Sequence, residues 1–246
     1  MTESNQSLVH SLKWPLAFVS TWWLIHVLQW MMGWELGYLG IYPLKSYGLK
    51  GILIAPLIHG DFSHLIHNSI PFLVLSTIII YFYQSVAFRS FLMIYFLTGL
   101  AVWLGARPVF HIGASGVVYG LVTFLMGNGL FRRNNKSIVL ALVVFLFYSG
   151  MLVGVLPNQQ GISWESHLYG ALVGFFVAYF YKGEIEEDER DEYIQEKTMD
   201  EQLRPFFLAP DTFDLTRAER AQRQREAEER QRNSDWTSSN TLDDGI

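Results

Sequence analysis

Gly113-Ala114-Ser115-Gly116-Val117-Val118-Tyr119-Gly120 is the stretch on which the reading of this chain turns. It opens a segment, residues 113–131, that carries no charge until Arg132. That length is close to what one apolar helix needs to span a bilayer. Serine and glycine there can be plain packing residues, since Gly116 and Gly120 form a small-xxx-small face. A second segment changes the weight of Ser115: Ser166-His167-Leu168-Tyr169-Gly170-Ala171-Leu172-Val173-Gly174. Here His167 stands one and two turns before Gly170 and Gly174, on roughly one helical face. Helices that pack through glycines approach closely, so a serine at the top of one and a histidine at the top of the other can meet. Serine with histidine is the minimum for a nucleophile and its base.

The remaining composition says where such a pair would sit. Half of the 246 residues are apolar and 17% are charged, against about a quarter charged in a soluble domain. Charge is sparse before residue 183 and dense after it. The formal net charge of −5 therefore sums an apolar body and a solvated tail. Absence of cysteine excludes disulfides, thiol catalysis and thiolate metal sites. No basic face suggests nucleic acid. The first apolar segment is long enough to span and lacks a small-residue cleavage site, so it does not resemble a removed signal. The expectation is an all-α polytopic membrane protein.

Residues 1–13 are expected to be a short cytoplasmic lead-in. Pro15 suits a first helical turn, and a first span follows over 16–34, with His26 in its middle as a packing residue. Residues 35–62 are apolar but broken by five glycines and two prolines. They read as a partly embedded loop of short helical turns, tolerated where it packs on protein or faces water. Further spans are expected over 64–83, with Ser63 as N-cap, then 90–106, 113–131, 137–156 and 166–181. Six spans put both termini on one side. Lys13, Arg89, Arg132, Arg133, Lys136 and Lys182 lie on that side, against Lys45, Lys50 and Arg107 on the other. The bias favours cytoplasmic termini. Residues 14–182 then form the membrane domain. The tail, 183–246, is charged; its stretch 218–232 is polar all round, a solvated helix or disorder.

In this topology His59, His64, Asn68, Ser115 and His167 fall at similar depth beneath the non-cytoplasmic face. Ionisable and amide groups are costly inside a membrane and point to function there. His64 and Asn68, four apart, can aim donors at one point, as an oxyanion site requires. Ser115 would supply the nucleophile and an unpaired helix-start N–H; His167 would take and return the proton. Glu165 is two residues from His167 and points away from it on a helix, so the expectation is a dyad. His64 and His67 lack a carboxylate partner in their helix, a weak metal set; no metal or other cofactor is expected. No His-Glu-x-x-His occurs, and Val117 stands where the nucleophile elbow of soluble hydrolases needs glycine.

His59, His64 and Asn68, the Gly113-Ala114-Ser115-Gly116 motif, and His167 with Gly170 together resemble the rhomboid family of intramembrane serine proteases, over roughly residues 12–182. The resemblance implies a Ser115–His167 dyad, oxyanion donors at His64 and Asn68 with His59 in support, and Tyr119 packed on the catalytic histidine. It implies a six-helix bundle with a broken, partly embedded first loop and a short fourth helix opening to a water-filled cavity. It departs from many bacterial members at Lys50-Gly51, where those carry a Trp-Arg pair in the loop. The implied activity is an acyl-enzyme hydrolysis of transmembrane segments near the extracytoplasmic face of a bacterial plasma membrane. Its partners would be single-pass or polytopic membrane proteins and the bilayer. Two other classes stand beside it: a catalytically silent relative that binds membrane clients, and a transporter or channel. The clustering of polar groups at one face rather than mid-depth argues against transport.

Overall fold

The computed structural model describes residues 8–157, 163–184, 186–190, 194, 216–223, 225, 226 and 229. The chain divides into two units, Met1–Asp188 and Glu189–Ile246. In the first unit, helix α1 (Leu8–Met32) is followed by a loop of 3₁₀ turns at Leu36–Leu39, Ser46–Gly48 and Ala55–Leu57 around a short helix α2 (Gly51–Ile54). Then come α3 (Phe62–Phe82), α4 (Ala87–Gly105), α5 (Ser115–Arg132), α6 (Asn135–Tyr148), a 3₁₀ segment Ser149–Val155, and α7 (Trp164–Phe180). Among the described residues the architecture is all-helical; its one β feature is an isolated bridge between Ile41 and His111.

Helix α5 is the axis. Nearly all of it from Gly116 to Gly129 is buried, and it packs most extensively on α7, with α6, α3 and α4 around it. A helix enclosed by other helices has no lipid face to satisfy. It therefore carries Gly116, Gly120, Thr123, Gly127 and Asn128 where an outer helix carries Leu and Phe. The α5–α7 seam is backbone against backbone. A methyl group built on Gly170 would run into the Gly116 carbonyl, and one on Gly174 into the Gly120 carbonyl and Thr123 hydroxyl. Association of this kind rests on close van der Waals packing, because apolar surroundings supply little hydrophobic drive.

The loop between α1 and α3 is held by hydrogen bonds rather than by a Trp-Arg pair. The amides of Ile41 and His111 each donate to the other's carbonyl at 2.9 Å. Tyr95 on α4 donates to the Leu53 carbonyl (2.6 Å), Trp103 to that of Lys45 (3.0 Å), and the Gly113 amide to that of Ala55 (2.9 Å). Lys50 lies over the Tyr38 ring, 5.2 Å from its centroid. Gly51 is required by space: a side chain there would collide with the backbone of Gly40 and Ile41.

Several boundaries differ from the sequence expectation. Helix α1 begins at Leu8, inside the stretch expected as a lead-in, and Pro15 lies within it. The helix absorbs the lost bond to Ser11 rather than starting after it. The N-cap of α3 is Asp61, whose carboxylate accepts from the His64 amide at 2.7 Å, and not Ser63. A carboxylate both caps the free N–H and favours the positive helix end. Helix α5 begins at Ser115, since Gly113 takes a φ of +97° that breaks helical continuity. The expected fifth span divides into α6 and a 3₁₀ segment containing Gly150 and Gly154.

Helices α3 and α4 are long and apolar enough to cross a membrane. In α1, α5 and α7, Trp, Gly, Ser and His dilute the apolar character, and α6 is shorter. In the second unit, residues 217–223 are helical, with the Thr216 amide and hydroxyl both donating to Glu219 (2.7 and 2.6 Å). Of the stretch 218–232, residues 218–223, 225, 226 and 229 are helical, while 224, 227, 228 and 230–232, like most of the tail as a whole, lie outside the described residues.

Candidate active site

Ser115 is the first residue of α5 and half-buried; His167 lies in the first turn of α7 and is buried. The glycine seam below brings the two helix ends together. Ser115 Oγ stands 2.8 Å from His167 Nε2. The other ring nitrogen, Nδ1, is 2.8 Å from the Gly154 carbonyl. A carbonyl only accepts, so Nδ1 carries the proton and Nε2 is left bare to accept from the serine hydroxyl. This is the tautomer that a buried aspartate imposes in a catalytic triad; here a backbone oxygen imposes it.

Tyr119, one turn after Ser115, lies flat on the imidazole with ring centroids 4.2 Å apart and an interplanar angle of 8°. Its hydroxyl donates to the Met151 carbonyl at 2.6 Å. The 3₁₀ segment thus receives both rings, one through Met151 and the other through Gly154. Neither carbonyl was legible in sequence, because every residue has one. The glycines of the segment were the one available signal.

His64 and Asn68 converge on the backbone ahead of the serine. A methyl group built on Gly113 would meet His64 Nε2 and Cε1 at 2.6 Å and Asn68 Nδ2 at 3.8 Å. Gly113 is therefore demanded twice, by its positive φ and by these side chains. Asn68 Nδ2 donates one hydrogen to the His64 carbonyl (3.1 Å), leaving the second amide hydrogen for another acceptor. His59 is fully buried, with its ring edge-on to His64 at 5.2 Å and tilted against Trp22 at 5.3 Å. It backs the His64 ring.

The other candidates fall outside this group. His26 is buried on α1, edge-on to Phe62 at 4.6 Å. His67 is exposed and donates to the Ser63 carbonyl of its own helix (2.7 Å). No cluster of three or more metal-ligating side chains occurs among the described residues. Glu165 points away from His167 and pairs with Arg107, Oε1 to Nε at 2.9 Å.

The model of the Rhomboid domain matches residues 48–184. The chain belongs to the rhomboid family. It is 39% identical over 173 residues to an uncharacterised protein of Mycobacterium tuberculosis, covering 67% of this chain and 72% of that one. An uncharacterised protein of Mycobacterium leprae is 35% identical over 193 residues, covering 72% and 75%. A protein of Acanthamoeba polyphaga mimivirus that carries the rhomboid name is 27% identical over 159 residues, covering 58% and 86%. Family membership and apolar helices make this rhomboid an integral membrane protein.

Proposed function

We propose that this rhomboid is an intramembrane serine endopeptidase that cleaves transmembrane protein segments near the extracytoplasmic face. The observation that carries the reading is the Ser115–His167 hydrogen bond with His167 Nδ1 donated to Gly154. In the first step Ser115 Oγ attacks the scissile carbonyl carbon while its proton passes to His167 Nε2. The oxyanion that forms faces His64, the free Asn68 amide hydrogen and the Ser115 N–H. Each such donor contributes on the order of 10²–10³ in rate when prearranged. The imidazolium returns the proton to the leaving amine, and the acyl-enzyme is hydrolysed by water with His167 as base.

Six helices, α1 and α3 to α7, form the membrane body in this reading, with the loop of 35–61 packed at the outer face and both termini cytoplasmic in a bacterial plasma membrane. Water is the reason for a shallow site: hydrolysis consumes it and the bilayer core excludes it. A helical substrate hides its carbonyls in hydrogen bonds. Segments weakened by Gly or Pro near the outer face are therefore the substrates, and stiffening such a segment with Leu or Ala slows its cleavage.

A fluorophosphonate probe on the folded, detergent-solubilised protein tests the assignment. Labelling that both Ser115→Ala and His167→Ala abolish supports an activated serine. Absence of labelling in folded wild type favours a silent, client-binding rhomboid. Labelling retained in Ser115→Ala places the nucleophile elsewhere.

A further inference from the structure

The acidic residue nearest His167 in sequence is not used on the imidazole, and its actual partner is informative. Glu165 is buried, with its side chain 6% exposed, while Arg107 is 46% exposed at the outer end of the α4–α5 connection. Alongside this ion pair runs a chain of hydrogen bonds. His111 Nε2 is 3.0 Å from the Arg107 carbonyl, so that nitrogen carries the proton. His111 Nδ1 is then an acceptor and takes the Ser163 hydroxyl. Ser163 Oγ accepts in turn from Ser166 at 2.9 Å. Ser163 and His111 each accept on one side and donate on the other, and the polarity runs unbroken from Ser166 to Arg107.

The position of this network matters more than its energy. The α4–α5 connection carries Arg107 and His111 at its start and Ser115 at its end. The entry to α7 carries Ser163, Glu165 and Ser166, then His167. Below the dyad the two helices are held by glycine contacts, Gly116 on Gly170 and Gly120 on Gly174. Above it, they are joined by the Arg107–Glu165 pair and the Ser166–Ser163–His111 chain. The dyad lies between two fixed points, and the upper one is polar.

We propose that Glu165 and Arg107 are positioning residues: their ion pair, with the Ser166–Ser163–His111 chain, clasps the start of α7 to the α4–α5 connection and sets the distance from His167 to Ser115. The inference rests on the protease reading for its kinetic consequence, and not for its structural one. A displacement of about 1 Å in such a pair can cost on the order of 10²-fold in rate. A buried carboxylate without its guanidinium also moves toward solvent rather than stay uncompensated.

The experiment compares Glu165→Gln, Arg107→Gln, the double variant and Arg107→Lys in the full-length protein. Two readouts are taken per folded molecule: the rate constant for fluorophosphonate labelling, and the ¹⁵N-imidazole spectrum of His167. The expected result is a roughly tenfold slower labelling in either single Gln variant. The double variant should be no slower than the worse single one, and Arg107→Lys should recover much of the rate. The His167 spectrum should move from one Nδ1–H tautomer toward a mixture in both Gln variants. Wild-type labelling rates and an unchanged His167 spectrum in Glu165→Gln would overturn the clasp, even if its melting temperature fell. Additive losses in the double variant would overturn the coupling of the two residues. Should the wild type itself not label, the protease reading fails, and the spectrum alone decides the clasp.

Discussion

Tyr119 and His167 lie ring on ring, 4.2 Å apart and 8° from parallel, and both are tied to the same 3₁₀ segment. The tyrosine reaches Met151 and the histidine reaches Gly154. The segment therefore brackets the imidazole, the place that a carboxylate takes beside the general base of a catalytic triad.

Gly154→Ala is expected to strike the site more than the fold. The added methyl would run into the Tyr119 hydroxyl and push the Gly154 carbonyl from Nδ1. Labelling of Ser115 should drop by at least tenfold with little change in thermal unfolding. Tyr119→Phe, which keeps the stacked face and loses the bond to Met151, should lose less than Tyr119→Ala. Equal losses in the two tyrosine variants would mean that the hydroxyl, and not the ring, holds the histidine.

His64→Ala and Asn68→Ala probe the proposed oxyanion site. Each should lower kcat for a transmembrane substrate by on the order of 10²-fold, with KM within about threefold of wild type, since the donors engage charge that develops in the transition state. A change confined to KM would place these groups in substrate binding instead. His59→Ala, acting through the His64 ring, should give a smaller loss.

The glycine seam makes a stability prediction with an internal control. Gly170→Ala forces a methyl against the Gly116 backbone, where no flexible side chain can yield. Overpacking of this kind costs about 1–3 kcal/mol or more, which exceeds the ~1 kcal/mol gained from helix propensity. Gly60→Ala meets nothing within 4 Å and has no positive φ, so its effect should stay within about 0.5 kcal/mol. Thermal unfolding of both in one detergent reads the difference.

His111 predicts a pH dependence with a definite sign. It sits in the α4–α5 connection, and burial pushes its pKa below the ordinary value; the bond to Arg107 and the charge of Glu165 oppose this, and the charge of Arg107 adds to it. A histidine depressed in the fold binds fewer protons there than in the unfolded chain. Its contribution to stability is complete above about pH 6.5, falls as pH drops below that value, and levels off under the folded pKa. Protonation also makes Nδ1 a donor and reverses its bond with Ser163. The gap in melting temperature between wild type and His111→Gln should narrow from pH 7.5 to pH 5. A gap independent of pH would mean that His111 does not titrate in the fold.

Much of this protein is legible from its residues. Long apolar segments, a broken loop rich in glycine, and Ser115 and His167 each followed by glycines at helical spacing are local properties of side chains. They are enough to expect an all-helical rhomboid with two helix ends meeting at a serine and a histidine. Helix boundaries were less accessible: Asp61 and Ser63 are both good caps, and which one closes α3 depends on the path of the loop before it. What only the tertiary structure decided are the partners of the key groups. The carbonyl that orients His167 comes from Gly154, and Glu165 finds Arg107 rather than the imidazole two residues away. The physical reason is that a backbone carbonyl has no residue identity, and an ion pair between distant segments exists only after packing has joined them. Sequence specifies which chemistries are present; the close glycine contact of α5 and α7 specifies which of them touch.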